Sequence, residues 1–134
     1  MWRENPHVNL LRKWDVGYSS GRDGWMTDKR LVLSTTGTRE EASTISQELV
    51  RRRLAACVNI VGPIDSVFRW KGAVENSQEF LLLIKTTAEH FANLKTALQE
   101  MHSYEVPECI AITVEDGLAE YLNWIGESVG VMGR

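Results

Sequence analysis

The sequence is poor in the groups from which catalytic and metal centres are most often built. It holds two cysteines, Cys57 and Cys109, and no CxxC pair. That removes a zinc ribbon, a thioredoxin-like motif and a soft-metal CxxC loop. With no secretion signal in view, both thiols read as free and buried in a reducing cytoplasm. The three histidines, His7, His90 and His102, form no HExxH motif and no dense cluster. There is no glycine-rich phosphate loop, no GxSxG elbow and no aromatic RNA-binding strand signature. No apolar run approaches the roughly 18 residues that span a bilayer, the longest being Phe80–Ile84. No membrane partner is expected. Basic residues are in deficit, 15 against 18 acids, which argues against a nucleic-acid partner held through phosphates. The one basic run, Arg51-Arg52-Arg53, reads as the solvated end of a helix, where cations suit the dipole.

What is present is an ordinary globular composition, 43% hydrophobic and 25% charged over 134 residues. One domain of this size buries enough surface to fold without metal or disulfide. Residues 1–29 differ from the rest. They carry three glycines and three tryptophans without sustained periodicity. They are expected to form an extension peripheral to a domain over 30–134.

From Arg30 the order reads β-α-β-β-α-β-α. Leu31–Thr36 is β-branched and apolar, a first strand. Thr38 and Glu41 make a capping box for a helix whose apolar positions are Ala42, Ile45, Leu49, Val50 and Leu54. Ala56–Ile60 and Ile64–Trp70 form one long strand interrupted at Gly62-Pro63, where proline removes a ladder donor. Lys71-Gly72 turns the chain into a return strand from Val74 to Thr86. Its centre, Phe80–Ile84, is continuously apolar, so both faces require cover and a second subunit is expected. Thr86 and Glu89 offer a second capping box, followed by Phe91, Leu94, Leu98 and Met101 at helical spacing. Cys109–Val114 is a fourth strand, and Asp116 can cap a third helix bearing Leu118, Tyr121, Leu122, Ile125 and Val129. The pattern predicts an α+β, ferredoxin-like βαββαβ sandwich with an extended hairpin and an extra C-terminal helix.

The remaining polar cluster is His102-Ser-Tyr-Glu-Val-Pro-Glu108. Imidazole and carboxylates within one loop suit a borderline divalent ion such as Cu(II) or Zn(II). The same loop also reads as a helix-to-strand connection in which His102 and Glu108 are hydrogen-bonded structurally. Cys57 has no basic neighbour in sequence to activate it, so no nucleophile, base and orienting group are visible together and no enzyme is expected.

Five segments, in order, resemble the CutA family of divalent-cation tolerance proteins. They are Arg53-Leu-Ala-Ala-Cys-Val-Asn-Ile60, Phe68-Arg-Trp-Lys-Gly72, Leu82-Leu-Ile-Lys-Thr86, His102-Ser-Tyr-Glu-Val-Pro-Glu108 and Tyr121-Leu-Asn-Trp124. The resemblance runs from about Leu31 to about Val129. It implies a homotrimer of ferredoxin-like subunits with hairpins pairing across subunits, high thermal stability, and a non-enzymatic role in tolerance of copper or similar divalent ions. It implies no required cofactor, with Cu(II) as the candidate ligand. The architecture it implies is also similar to that of PII signalling proteins, which gives an alternative reading as a small-ligand sensor with clefts between subunits.

Carried over by motif, the candidates are Cys57, His102 and Glu108 for a metal, and Trp70, Lys85 and Tyr104 for a ligand cleft. Lys85 would attract an anion and oppose a cation at close range. Two positions depart from the family pattern. Ser103 stands where many relatives have proline, which predicts a less rigid loop. The end of the first strand, Thr35-Thr36-Gly37-Thr38, lacks the thiol that some relatives carry there.

Overall fold

The computed structural model describes residues 26–130. The proposed extension therefore lies, up to Trp25, outside the described residues. The elements are β1 (Lys29–Thr36), α1 (Arg39–Arg51), β2 (Cys57–Trp70), β3 (Ala73–Thr87), α2 (Ala88–Met101), β4 (Ile110–Thr113) and α3 (Ala119–Ser128). The strands make one four-stranded sheet in the order β2-β3-β1-β4, with every neighbouring pair antiparallel.

Strand alternation sorts the sheet into two unlike faces. Val32, Leu82 and Ile84 point to one side and pack against Ala42, Ile45 and Leu49 of α1 and Leu94, Ala97 and Leu98 of α2. Leu31, Leu33, Leu81 and Leu83 alternate with them and are only half-buried. On the β4 edge Ile110 and Ile112 stay exposed. Among the described residues, one face of the apolar Phe80–Ile84 run is thus covered and the other is largely open. The third helix does not join α1 and α2. It forms a smaller cluster with Ala56 through Leu122, Ile125 and Val129. Its Gly126 approaches the Lys29 ammonium so closely that an added Cβ would lie 3.4 Å from it.

Several local expectations resolve differently from the motif that suggested them. Thr38 does cap α1, its hydroxyl accepting the Glu41 N–H at 3.1 Å. The Glu41 carboxylate, however, is spent on a distant loop rather than on the cap. The second capping box does not form. The Thr86 hydroxyl donates to the Leu54 carbonyl at 2.7 Å, and the N-cap Thr87 makes no capping bond. Asp116 sits too far ahead of α3 to cap it and accepts the Gly117 N–H instead. In the arginine run, Arg51 and Arg52 pair with Glu48 and hold its carboxyl down to about 2. Arg53 is not a solvated side chain. It adopts a left-handed backbone (φ 60) and donates to the carbonyls of Glu127 and Gly130, tying the end of α1 to the end of α3.

The hairpin turn has both central residues left-handed, Lys71 at φ 50 and Gly72 at φ 83, the geometry that matches strand twist. The long strand β2 shifts register between Val61 and Ile64, at the Gly62–Pro63 cis peptide.

Because Leu82 is fully buried between sheet and both helices, Leu82→Ala should cost about 2–5 kcal/mol in denaturant unfolding. Thr38→Ala should cost about 1 kcal/mol. Equal costs for the two would show that this core does not carry the fold.

Candidate functional site

The loop after α2 is fixed by His102. Its Nε2–H donates to the Thr35 carbonyl of β1 at 2.7 Å, and its Nδ1 accepts the Tyr104 N–H at 3.0 Å. The side chain is fully shielded from solvent. These partners define a neutral imidazole with the proton on Nε2. Its lone pair is occupied, so in this arrangement the ring has no free donor for a metal. Glu41 of α1 reaches the same loop, accepting the Ser103 N–H at 2.7 Å and the Ser103 hydroxyl at 3.0 Å. The looseness expected from serine in place of proline is therefore offset. Ser103 keeps an N–H that proline lacks, and Glu41 uses it.

The latch delivers Tyr104 to the open face of the sheet. The phenol ring lies 4.6 Å from the His102 ring, and its hydroxyl donates to Glu79 Oε2 at 2.7 Å. A Cβ on Gly37 would come within 3.3 Å of that hydroxyl, so the small residue admits the ring. Burial, reinforced by the Glu79 carboxylate, pushes the Tyr104 phenol up to about 12. Glu79 itself is only 9% exposed, on β3, directly before the apolar run.

A groove of about 970 Å³ opens beside this pair. Trp70, Phe68 and Tyr104 give it aromatic walls, and Ile64 and Leu81 part of its floor. Glu75, Glu79, Glu105 and Glu108 line it with carboxylates, and among the described residues no lysine, arginine or histidine does. Of the residues nominated from sequence, Trp70, Tyr104 and Glu108 meet here, and His102 stands behind the groove as its support.

Cys57 and Lys85 do not. They pair with each other across β2 and β3, with the thiol 4.0 Å from the ammonium, and the ammonium bonded to Asn59. Cys57 and Trp70 are the two ends of β2, 13 residues apart, or about 40 Å of extended strand. Among the described residues, no group of three or more His, Cys, Asp or Glu stands close enough to hold a metal ion. His102, Glu108 and Cys57 are thus not assembled within one chain. Sequence reasoning missed Glu41, Thr35 and Glu79. The first two act across more than 60 residues and leave no local signal. Glu79 leaves one, as an acid on the strand face that Leu81 and Leu83 otherwise make apolar.

Residues 30–128 match the family described as "CutA1 divalent ion tolerance protein". The Divalent-cation tolerance protein CutA of Thermus thermophilus is 46% identical over 102 residues, 76% of this chain and 99% of that protein. The protein of the same name from Archaeoglobus fulgidus is 45% identical over 98 residues, covering 73% and 95%. Among solved structures, CutA of Xylella fastidiosa superposes with a TM-score of 0.76 at 43% identity, covering 78% of this chain and all of that one. The matched residues 30–128 include the four strands, β1 but for Lys29, and the loop that carries His102.

The Tyr104–Glu79 bond can be read by phenolate absorbance. Tyr104, identified as the step missing in Tyr104→Phe, should ionise near about 12, against about 10 for an ordinary phenol. Its folded-state value is raised, so its contribution to stability is complete below about 10 and lost as pH rises through about 12. Glu79→Gln should shift the step partway down and no further, since burial is the larger cause. An ordinary ionisation near 10 in the parent protein would remove the bond from the account.

Proposed function

Because the chain belongs to the CutA divalent-ion tolerance family, we propose that it serves in tolerance of divalent cations as a non-enzymatic homotrimer of ferredoxin-like subunits that takes up copper(II) or a similar ion. The family match carries this reading. The assembly is supported by the open sheet face. Half-buried Leu31, Leu33, Leu81 and Leu83, with exposed Ile110, Ile112 and Phe68, form an apolar surface of the kind that partners cover. The β2-β3-β1-β4 order, with β2 and β4 as free edges, supports the ferredoxin-like description and leaves backbone donors for pairing between copies.

The cation side rests on the groove. Glu108 is the candidate that an entering ion meets directly. His102 becomes a ligand once Nδ1 gives up the Tyr104 amide or Nε2 gives up Thr35. Cys57 joins such a centre when another subunit supplies it. The non-enzymatic reading is supported by the His102 ring, which is shielded and bonded at both nitrogens; the Cys57 thiol, by contrast, does gain a basic neighbour in space, Lys85 at 4.0 Å. The free thiols of Cys57 and Cys109 fit a reducing, cytoplasmic setting.

Native mass spectra of the metal-stripped protein, before and after Cu(II) addition, test this. A trimer that gains about one copper per subunit and rejects magnesium is expected, with weaker uptake in His102→Ala. A trimer without uptake would remove the copper assignment and keep the assembly. A monomer would overturn the reading of the open sheet face.

A further inference from the structure

Beyond the register shift at Gly62–Pro63 the hairpin runs on as a two-stranded arm, residues 64–79, outside both apolar clusters. A two-stranded hairpin is marginal in water unless something covers it. Directly opposed residues share a face, so the register sorts the arm into two unlike surfaces. The inner surface carries Ile64, Phe68, Trp70, Glu75 and Glu79 and forms part of the groove. The outer surface carries Val67, Arg69 and Val74. Val67 and Val74 are 67% and 63% exposed, which leaves an apolar strip in water.

Arg69 lies directly opposite Val74 in that strip. It is exposed and, among the described residues, has no carboxylate partner and covers no ring. Lys71, by contrast, is engaged over Trp70 of its own arm. On the groove side, Glu79 is already bonded to Tyr104, whereas Glu75 and Glu105 are exposed and make no ion pair among the described residues. One surface is thus apolar around an arginine, and the other is aromatic around carboxylates. Both sets of side chains are those that protein interfaces favour, and their charges are opposite. The two surfaces are the opposite faces of one arm, so they cannot meet within that arm. A second copy can bring them together, and a head-to-tail contact of this kind, repeated, closes into a ring.

We propose that the outer face of the arm of one copy seats in the groove of the next, with Arg69 between Glu75 and Glu105 of that copy and Val67 and Val74 against its Trp70. This contact, which rests on the homotrimer reading, fixes which faces of the arms meet. Glu108 takes no part in it.

Subunit exchange tests it. Isotopically labelled and unlabelled protein, both metal-free, are mixed, and native mass spectrometry follows the appearance of mixed trimers. Arg69→Glu should exchange roughly tenfold or more faster than the parent, because like charges then face each other across the contact. Glu75→Arg alone should do the same. Arg69→Glu combined with Glu75→Arg should return most of the way to the parent rate, since the double reversal restores the attraction. Lys95→Glu makes an equal change of charge on the exposed side of α2, outside both surfaces, and should leave the rate unchanged. If Glu75→Arg does not fold, Glu105→Arg takes its place and must be rescued in the same way. Exchange at the parent rate in Arg69→Glu, or a double variant no slower than the single ones, overturns the contact and leaves the homotrimer in place. Equal acceleration by Lys95→Glu also overturns it, because the effect would then follow net charge. A monomeric parent overturns the homotrimer reading and this contact together.

Discussion

The groove side of this molecule depends on one imidazole hydrogen-bonded at both nitrogens in a dry place. β4 pairs with β1 only from Arg30 to Leu33, so the Thr35 carbonyl lies beyond its reach. A buried carbonyl needs a donor, and His102 Nε2–H provides it. The other nitrogen then orients the Tyr104 amide, and through it the phenol that reaches Glu79. A histidine in this position is a two-ended connector. It joins a strand end to a loop and sets the direction in which that loop presents its side chains.

That connection explains how one short loop can be both rigid and functional. Glu41 restrains it from the helix side through Ser103, and His102 restrains it from the strand side. Tyr104, Glu105 and Glu108 are left to border the groove. Charge is sorted along the same lines. Carboxylates collect around the groove, whereas Arg51, Arg52 and Arg53 at the end of α1 are engaged by Glu48 or by the end of α3, and Lys85 of β3 sits opposite Cys57 at the far end of the β2-β3 pair. Among the described residues, the one cation recorded against a groove-lining ring is Lys71, 5.6 Å from the centre of the Trp70 ring.

The uncovered face of the sheet follows from the same economy of elements. Two helices are enough to cover one side of four strands. The third packs as a separate cluster with Ala56, so that among the described residues most of the other side is open. The chain spends leucine and isoleucine on both sides, a pattern that suits a surface meant to be shared with further copies.

Local chemistry made much of this legible. Strand alternation, the Lys71-Gly72 turn, the break at Gly62-Pro63 and the Thr38 cap each depend on residues a few positions apart, and each could be located in the sequence. Cap predictions failed at Thr86 and Asp116 because a polar side chain bonds to whichever backbone group lies nearest, and only the fold decides which one that is. The same limit governs the site. The sequence by itself determined the order of elements, the family and the loop that matters. Tertiary structure alone decided that both His102 nitrogens are hydrogen-bonded, that Cys57 and Lys85 stand apart from Trp70 and Tyr104, and that Glu79 is buried against the Tyr104 hydroxyl. Those outcomes depend on contacts between residues 25 to 67 positions apart, which sequence spacing does not encode.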